Sequence, residues 1–285
     1  MISLRPKRFY LTLTIALFCL FLPRSSFSKT SSWKRVTFDK GIRVWKKSER
    51  NSSILSFKGE VKINASIYEV FSVLFDPYHK KDFIQNCTEF DVLQFKGFPY
   101  SATSYIRIGN NIPLINDRDV VLTSRVEFLP KKKILKVHFK KATNDALLKP
   151  IQKDIVRIPK LEGFWVLKSI KKKGTYQTNI TYQVTSNPGG VIPTWLVNLA
   201  NRDLPYKTLN KLRRLVGQKG RFIKTRKVVK YLFDFSPFFD SPSPSLERND
   251  QEKREVKASL IEEFKKSCHQ GKKDACQMVK PFTLL

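Results

Sequence analysis

Between Trp33 and Ser186 apolar and polar residues alternate with the period of two expected of half-buried strands. The clearest segments are Ile42-Arg43-Val44-Trp45, Ile54 to Ile63, Glu89 to Phe95 and Tyr100 to Ile108. After them come DVVLTSRVEF from Asp119, ILKVHFKKA from Ile134, DIVRIPKLE from Asp154, GFWVLKSI from Gly163 and NITYQVTS from Asn179. One apolar run, Ile67 to Phe75, breaks the alternation. Ser66 can cap it as a helix, Asp76-Pro77 stops it, and a second short helix is expected over Tyr78 to Gln85. Gly109 to Asp117 reads as a loop, and Ala142 to Lys153 as a polar loop bulging over the sheet opening.

Pro188, Gly189 and Gly190 end the strand pattern, and Pro193-Thr194 start a long helix through Val216. Leu196, Leu199, Ala200, Leu204, Leu209, Leu212 and Leu215 recur along it at helical spacing, while Arg202, Lys207, Lys211, Arg213 and Arg214 occupy the other face. The stripe suits a helix packed on a sheet, and the Pro-Gly-Gly entry suits a lid hinged at Gly189 and Gly190. A helix pair inserted early, a long run of antiparallel strands and one long final helix make an α+β fold in which a curved sheet grips a helix.

The basic front of the chain, Arg5, Lys7 and Arg8, precedes the apolar segment Leu11 to Leu22. That segment is shorter than the ~20 residues that span a bilayer, so residues 1–28 read as a secretory signal, with an uncleaved anchor as the competing reading. A single domain is expected over 29–221, then a basic and Ser/Pro-rich linker over 222–246 and a charged, partly helical tail over 247–285. An exported, periplasmic or secreted protein associated peripherally with a membrane follows.

The chain of 285 residues carries 54 Lys and Arg against 24 Asp and Glu, a net charge of +30, which falls by four to +26 without the signal. Such a surface attracts anionic lipid head groups, with Lys207, Lys211, Arg213 and Arg214 as the expected docking residues. Nucleic acid would feel the same field, but no zinc-finger, helix-turn-helix or RNP pattern is present, and no nucleic-acid partner is expected. Cys268 and Cys276 flank a Gly-containing turn and form a disulfide candidate in an oxidising compartment. Cys87 reads as a small buried hydrophobe.

Enzyme signatures are missing: there is no G-x-S-x-G elbow, P-loop, dinucleotide fingerprint or H-E-x-x-H. His79 and His138 have no carboxylate or cysteine at metal-ligand spacing, so no metal and no cofactor are expected. Arg118, between Asp117 and Asp119 at the start of a strongly apolar strand, is more pointed. An inward guanidinium there must be ion-paired or poised for a polar ligand group. Tyr105, Trp165, Tyr182 and Trp195 fall on strands or the helix, where rings wall a cavity or fill a core.

Five stretches in order, WKRVTFDKGIRVWKK, VFSVLFDPYHKKDF, NDRDVV, EGFWVLKSI and TNITYQVTSNPGGVIPTWLVN, resemble the StAR-related lipid-transfer (START) domain family over Trp33 to Val216. The resemblance implies a helix-grip fold around a tunnel holding one hydrophobic lipid, often a sterol or phospholipid, as a binding protein rather than an enzyme. It implies that Arg118 is the pocket arginine and that the helix from Thr194 is the gate. Tunnel contacts are then expected from Tyr105, Trp165, Tyr182, Trp195, Leu196 and Leu199.

Two departures stand out: Arg107 occupies the region where relatives place an acid, and Phe83 stands where they commonly have Trp. If Arg107 points inward, two guanidiniums face one cavity and favour an anionic head; if outward, Arg118 takes Asp117 or Asp119. A monomer acting on an anionic membrane is expected. The alternatives are a cyclase- or hydrolase-like enzyme on the same architecture, using Asp82, His138 or Tyr182, and an envelope adaptor whose tail binds a partner.

Overall fold

The chain divides into two units, 1–31 and 32–285, and a computed structural model describes residues 32–96, 100–109, 116–143 and 153–232 of the second. The expected signal, the tail and the Cys268–Cys276 pair lie outside the described residues, as does most of the Ala142 to Lys153 loop. Ten strands form one sheet: β1 (Lys34–Asp39), β2 (Ile42–Ser48), β3 (Leu55–Ile63), β4 (Cys87–Lys96), β5 (Ser101–Ile108), β6 (Asp117–Leu129), β7 (Ile134–Lys141), β8 (Ile155–Arg157), β9 (Lys160–Lys172) and β10 (Thr175–Asn187). Their order is β1-β2-β3-β10-β9-β7-β6-β5-β4. Every pairing on this path is antiparallel; short β8 lies off it, parallel to β6.

Four helices complete the described chain: α1 (Ile67–Phe75), α2 (Lys80–Phe83), α3 (Thr194–Gly217) and α4 (Ile223–Leu232). Helix α1 starts as the sequence suggests. The Ser66 hydroxyl accepts from the Glu69 amide at 3.3 Å and the Glu69 carboxylate accepts from the Ser66 amide at 2.9 Å, a reciprocal cap worth about 1 kcal/mol. Asp76-Pro77 ends it.

Helix α3 lies over β2, β3 and β10. Its buried face is Val197, Pro205, Leu209, Leu212, Leu215 and Val216. The stripe expected from the sequence is therefore offset: Leu199 and Ala200 are exposed, because a helix that buries residues 197, 205 and 209 turns 199 and 200 outward. The packing is close enough that Gly59 of β3 has no room for a side chain; a Cβ there would sit 2.6 Å from Leu209 Cδ1 and 2.9 Å from Pro205 Cβ.

The domain also runs further than 221. The basic stretch expected to begin a linker forms α4, which packs on α1 with Phe222, Thr225, Val228 and Val229 buried. The Thr225 hydroxyl donates to buried Asp76, which also accepts from the His79 amide at 2.7 Å and His79 Nδ1 at 2.9 Å. His79 is thus held in place by Asp76. Thr225→Val leaves one acceptor site of a buried carboxylate unfilled, and is expected to cost about 1–3 kcal/mol in urea unfolding. A variant as stable as wild type would show that this hydrogen bond adds nothing to the α1–α4 contact, which also has the Tyr68 hydroxyl on the Arg226 carbonyl.

Candidate functional site

The alternation of strands β4 to β7, β9 and β10 turns one set of side chains toward helices α1, α2 and α3, and between them lies a cavity of about 300 Å³. On β5 the cavity positions are Ala102, Ser104, Ile106 and Ile108; on β6 they are Val120, Leu122, Ser124 and Val126. Phe90 and Phe95 of β4, Val137 and Phe139 of β7, and Trp165 of β9 continue the wall. Phe71, Leu74 and Phe75 of α1 and Leu204 and Thr208 of α3 close it from the helical side. The lining is predominantly aromatic and aliphatic, with hydroxyls scattered through it, as small-molecule sites usually are.

Trp165 and Tyr182, both expected to contact ligand, line this cavity as cross-strand partners. Their rings stack 4.1 Å apart, with Phe139 6.2 Å beyond Tyr182 and Phe83 6.0 Å from Trp165. Burial pushes the Tyr182 phenol well above its ordinary value, so it stays protonated and can donate.

Other expected residues lie elsewhere. Tyr105 falls on the opposite face of β5, 1 % exposed in a small cluster with Val121 and Ala142, because its neighbours Ser104 and Ile106 take the cavity side. Trp195 is 68 % exposed and Leu199 43 %; Leu196 is half-buried and outside the cavity lining. Gly189 and Gly190 have φ of +68° and +73°, and the first takes the Asn187 side-chain oxygen on its amide at 3.0 Å.

The two arginines do not share the cavity. Arg107 points to the other face and pairs with Asp117 through Nε at 2.9 Å and Nη2 at 2.8 Å. Asp119, buried, is held by Arg157 at 2.5 and 2.9 Å. Arg118 keeps the alternation of Val120 but stands one place beyond it, at the cavity end, opposite Ile108 and Val156. There its guanidinium donates to the Asn116 carbonyl and lies beneath the glycine turn, 3.4 Å from where a Gly190 Cβ would be. Desolvation lowers its pKa, opposed by Asp117, and no ion pair of Arg118 exists among the described residues.

Lys80 is a cavity residue that the sequence does not signal. It stands beside Lys81 in a basic chain, yet its ammonium is enclosed, donates to the Leu74 carbonyl, and stands 5.8 Å from the Phe83 ring centroid and 5.9 Å from that of Phe90. Desolvation brings its pKa from 10.5 down to about 8, against the attraction of Asp76 and Cys87. Between those values the unfolded chain binds more of this proton than the folded one, so stability is expected to climb as pH rises from about 8 to about 10.5. Chemical denaturation across that window should show a steeper rise in wild type than in Lys80→Met; parallel curves would remove Lys80 as the source.

The basic docking residues are only partly free. Lys207 and Arg214 are exposed, but Lys211 is half-buried, and Arg213 donates to the Lys40 carbonyl at 2.7 Å and to Asn210 at 2.8 Å. His138 is exposed and 3.5 Å from Glu127. Among the described residues no three His, Cys, Asp or Glu side chains gather as metal ligands, and no helix is long and apolar enough to cross a membrane.

A curved antiparallel sheet closed on a long C-terminal helix around an apolar cavity is the helix-grip architecture. The chain shares this architecture with solved StAR-related lipid-transfer (START) domains, a bacterial one among them. The STAR-related lipid transfer protein of Xanthomonas axonopodis is 26 % identical, with a TM-score of 0.57 over 65 % of this chain and 99 % of that one. Human STARD10, at 20 % identity and TM-score 0.57, covers 67 % of this chain and 75 % of its own. Human StAR-related lipid transfer protein 5, at 17 % and 0.55, covers 74 % and 97 %; both human proteins share the fold. In sequence, the uncharacterized protein PA1579 of Pseudomonas aeruginosa is 32 % identical over 181 residues, 64 % of this chain and 85 % of that protein. No family model matches the chain.

Proposed function

We propose that this protein binds one hydrophobic lipid in the cavity and carries or presents it at an anionic membrane, without changing its bonds. The observation that carries the reading is the apolar cavity between sheet and helices, walled by Trp165, Tyr182, Phe139 and the aliphatic rows of β5 and β6. Burying a lipid chain against such walls is favourable by about 25 cal/mol per Å² of apolar area. Helix α3 supplies Leu204 and Thr208 to the same wall, so its displacement opens a route for the ligand. Native mass spectrometry of the purified full chain should find a single lipid bound at one per protein. A chain that remains empty after exposure to lipid vesicles would defeat the proposal.

Membrane docking fits the loop and first turns of α3. Val191, Trp195 and Leu199 are exposed apolar residues at one end of a helix whose outer face also carries Arg202, Lys207 and Arg214. Trp suits a membrane interface, and each nearby cation adds about 1 kcal/mol of attraction to an anionic leaflet. In this reading Trp195 and Leu199 contact the bilayer rather than the bound lipid. Replacing both by Ser is expected to slow transfer to phosphatidylglycerol-containing vesicles by roughly tenfold while bound lipid is retained. Unchanged transfer would place the docking surface elsewhere. The signal-like segment over 1–28 supports action beyond the membrane through which such segments direct export.

A further inference from the structure

We propose that Lys80 anchors the head group of the ligand, and that the ligand is a single-chain amphiphile ending in a carboxylate, of the fatty-acid class. This inference rests on the lipid-binding reading and deepens it. Among the described residues that line the cavity, Lys80 alone carries a formal charge. The remaining polar side-chain groups there are hydroxyls, the Trp165 indole N–H and one amide, on Ser101, Ser104, Ser124 and Gln85 among others.

An ammonium group has three donors. Lys80 uses one on the Leu74 carbonyl, and among the described residues it makes no other hydrogen bond and no ion pair. The carboxylate that could have neutralised it, Asp76, is taken up by the His79 amide, His79 Nδ1 and the Thr225 hydroxyl. The rings of Phe83 and Phe90, both cavity residues, hold the amine from two sides at cation–π distance without supplying an acceptor. A cation kept in an apolar wall with two donors idle is costly unless an anion arrives to meet it. Two donors match the two oxygens of one carboxylate, and the phenyl, indole and aliphatic walls continue from that point for an acyl chain. Arg118 is not the competing anchor, because it lies past the end of the lining row and is not part of the cavity wall.

The test uses the delipidated full chain, with oleate and methyl oleate as probes that share a chain and differ in head charge. Tryptophan fluorescence titration of the wild type should show oleate binding at least about tenfold more tightly than methyl oleate, the range of one hydrogen-bonded charge. In Lys80→Met the preference should vanish while methyl oleate still binds, and Lys80→Arg should keep it. Oleate labelled with ¹³C at the carboxyl carbon should shift on binding wild type and not Lys80→Met. Equal binding of both probes by wild type overturns the anchor and leaves the cavity reading standing. Binding of neither probe overturns both. Stronger binding of a single-chain probe with a phosphate monoester head, lysophosphatidate, than of oleate overturns the carboxylate assignment. Should Lys80→Met fail to fold, the wild-type comparison of the two esterification states decides alone.

Discussion

Ala102→Phe combined with Ser124→Phe is expected to abolish lipid binding while leaving the protein folded. The two residues are register partners on β5 and β6, and both side chains point into the cavity. Two phenyl rings entering a space of about 300 Å³ occupy the volume a lipid chain would need, without touching the helix-packed core around Leu209 and Leu212. Because the rings are apolar and the walls are apolar, filling the space removes the ligand's room without stranding a polar group. Affinity should fall roughly 100-fold or more, about 3 kcal/mol, with little change in thermal midpoint. A folded double variant that still co-purifies with stoichiometric lipid would mean that the ligand lies elsewhere.

The largest effect on stability is expected from Gly59→Val. At 2.6 Å from Leu209 Cδ1 and 2.9 Å from Pro205 Cβ, even one added carbon collides, and the Pro205 ring cannot swing aside as a flexible side chain would. Helix α3 must lift from β3, at a cost of about 1–3 kcal/mol or more for overpacking, or roughly 5–10 °C in thermal midpoint. Gly59→Ala should show a smaller loss in the same direction. Since α3 also forms part of the cavity wall, the valine variant should release lipid faster as well. An unchanged midpoint would show that the helix and sheet have slack at this crossing.

The strands were legible because one face of the sheet is dry. The alternation in NITYQVTS and GFWVLKSI survives in β10 and β9, where Ile180, Tyr182 and Val184 face inward. Helix α1 was legible from its cap and its Asp-Pro stop. The rotation of α3 was harder: Leu196, Leu199 and Ala200 offer one apolar stripe and Val197 and Val216 help define another, and only the close crossing at Gly59 decides between them. Helix α4 escaped notice because Lys224, Arg226, Lys227 and Lys230 dominate its composition, and two adjacent valines carry no period by themselves.

Trp165 and Tyr182 were legible as cavity-wall residues because aromatic residues on inward strand positions announce a wall. Lys80 was not, since its burial follows from the chain after Asp76 returning its ammonium to the Leu74 carbonyl, and lysine in a basic chain carries no mark of its surroundings. The fate of Arg107 was open for a related reason. Strand parity, once the register with β6 is known, sends it away from the cavity and onto Asp117.

The hydrogen bond from Thr225 to Asp76 ties the last described helix to the hinge between α1 and the cavity residues Lys80 and Phe83. The chain continues past Leu232 for another stretch ending at Leu285. A load applied to the chain at Leu232 would therefore reach the pocket wall through α1, across a seam made of this bond, the one from the Tyr68 hydroxyl to the Arg226 carbonyl, and the buried Phe222, Val228 and Val229.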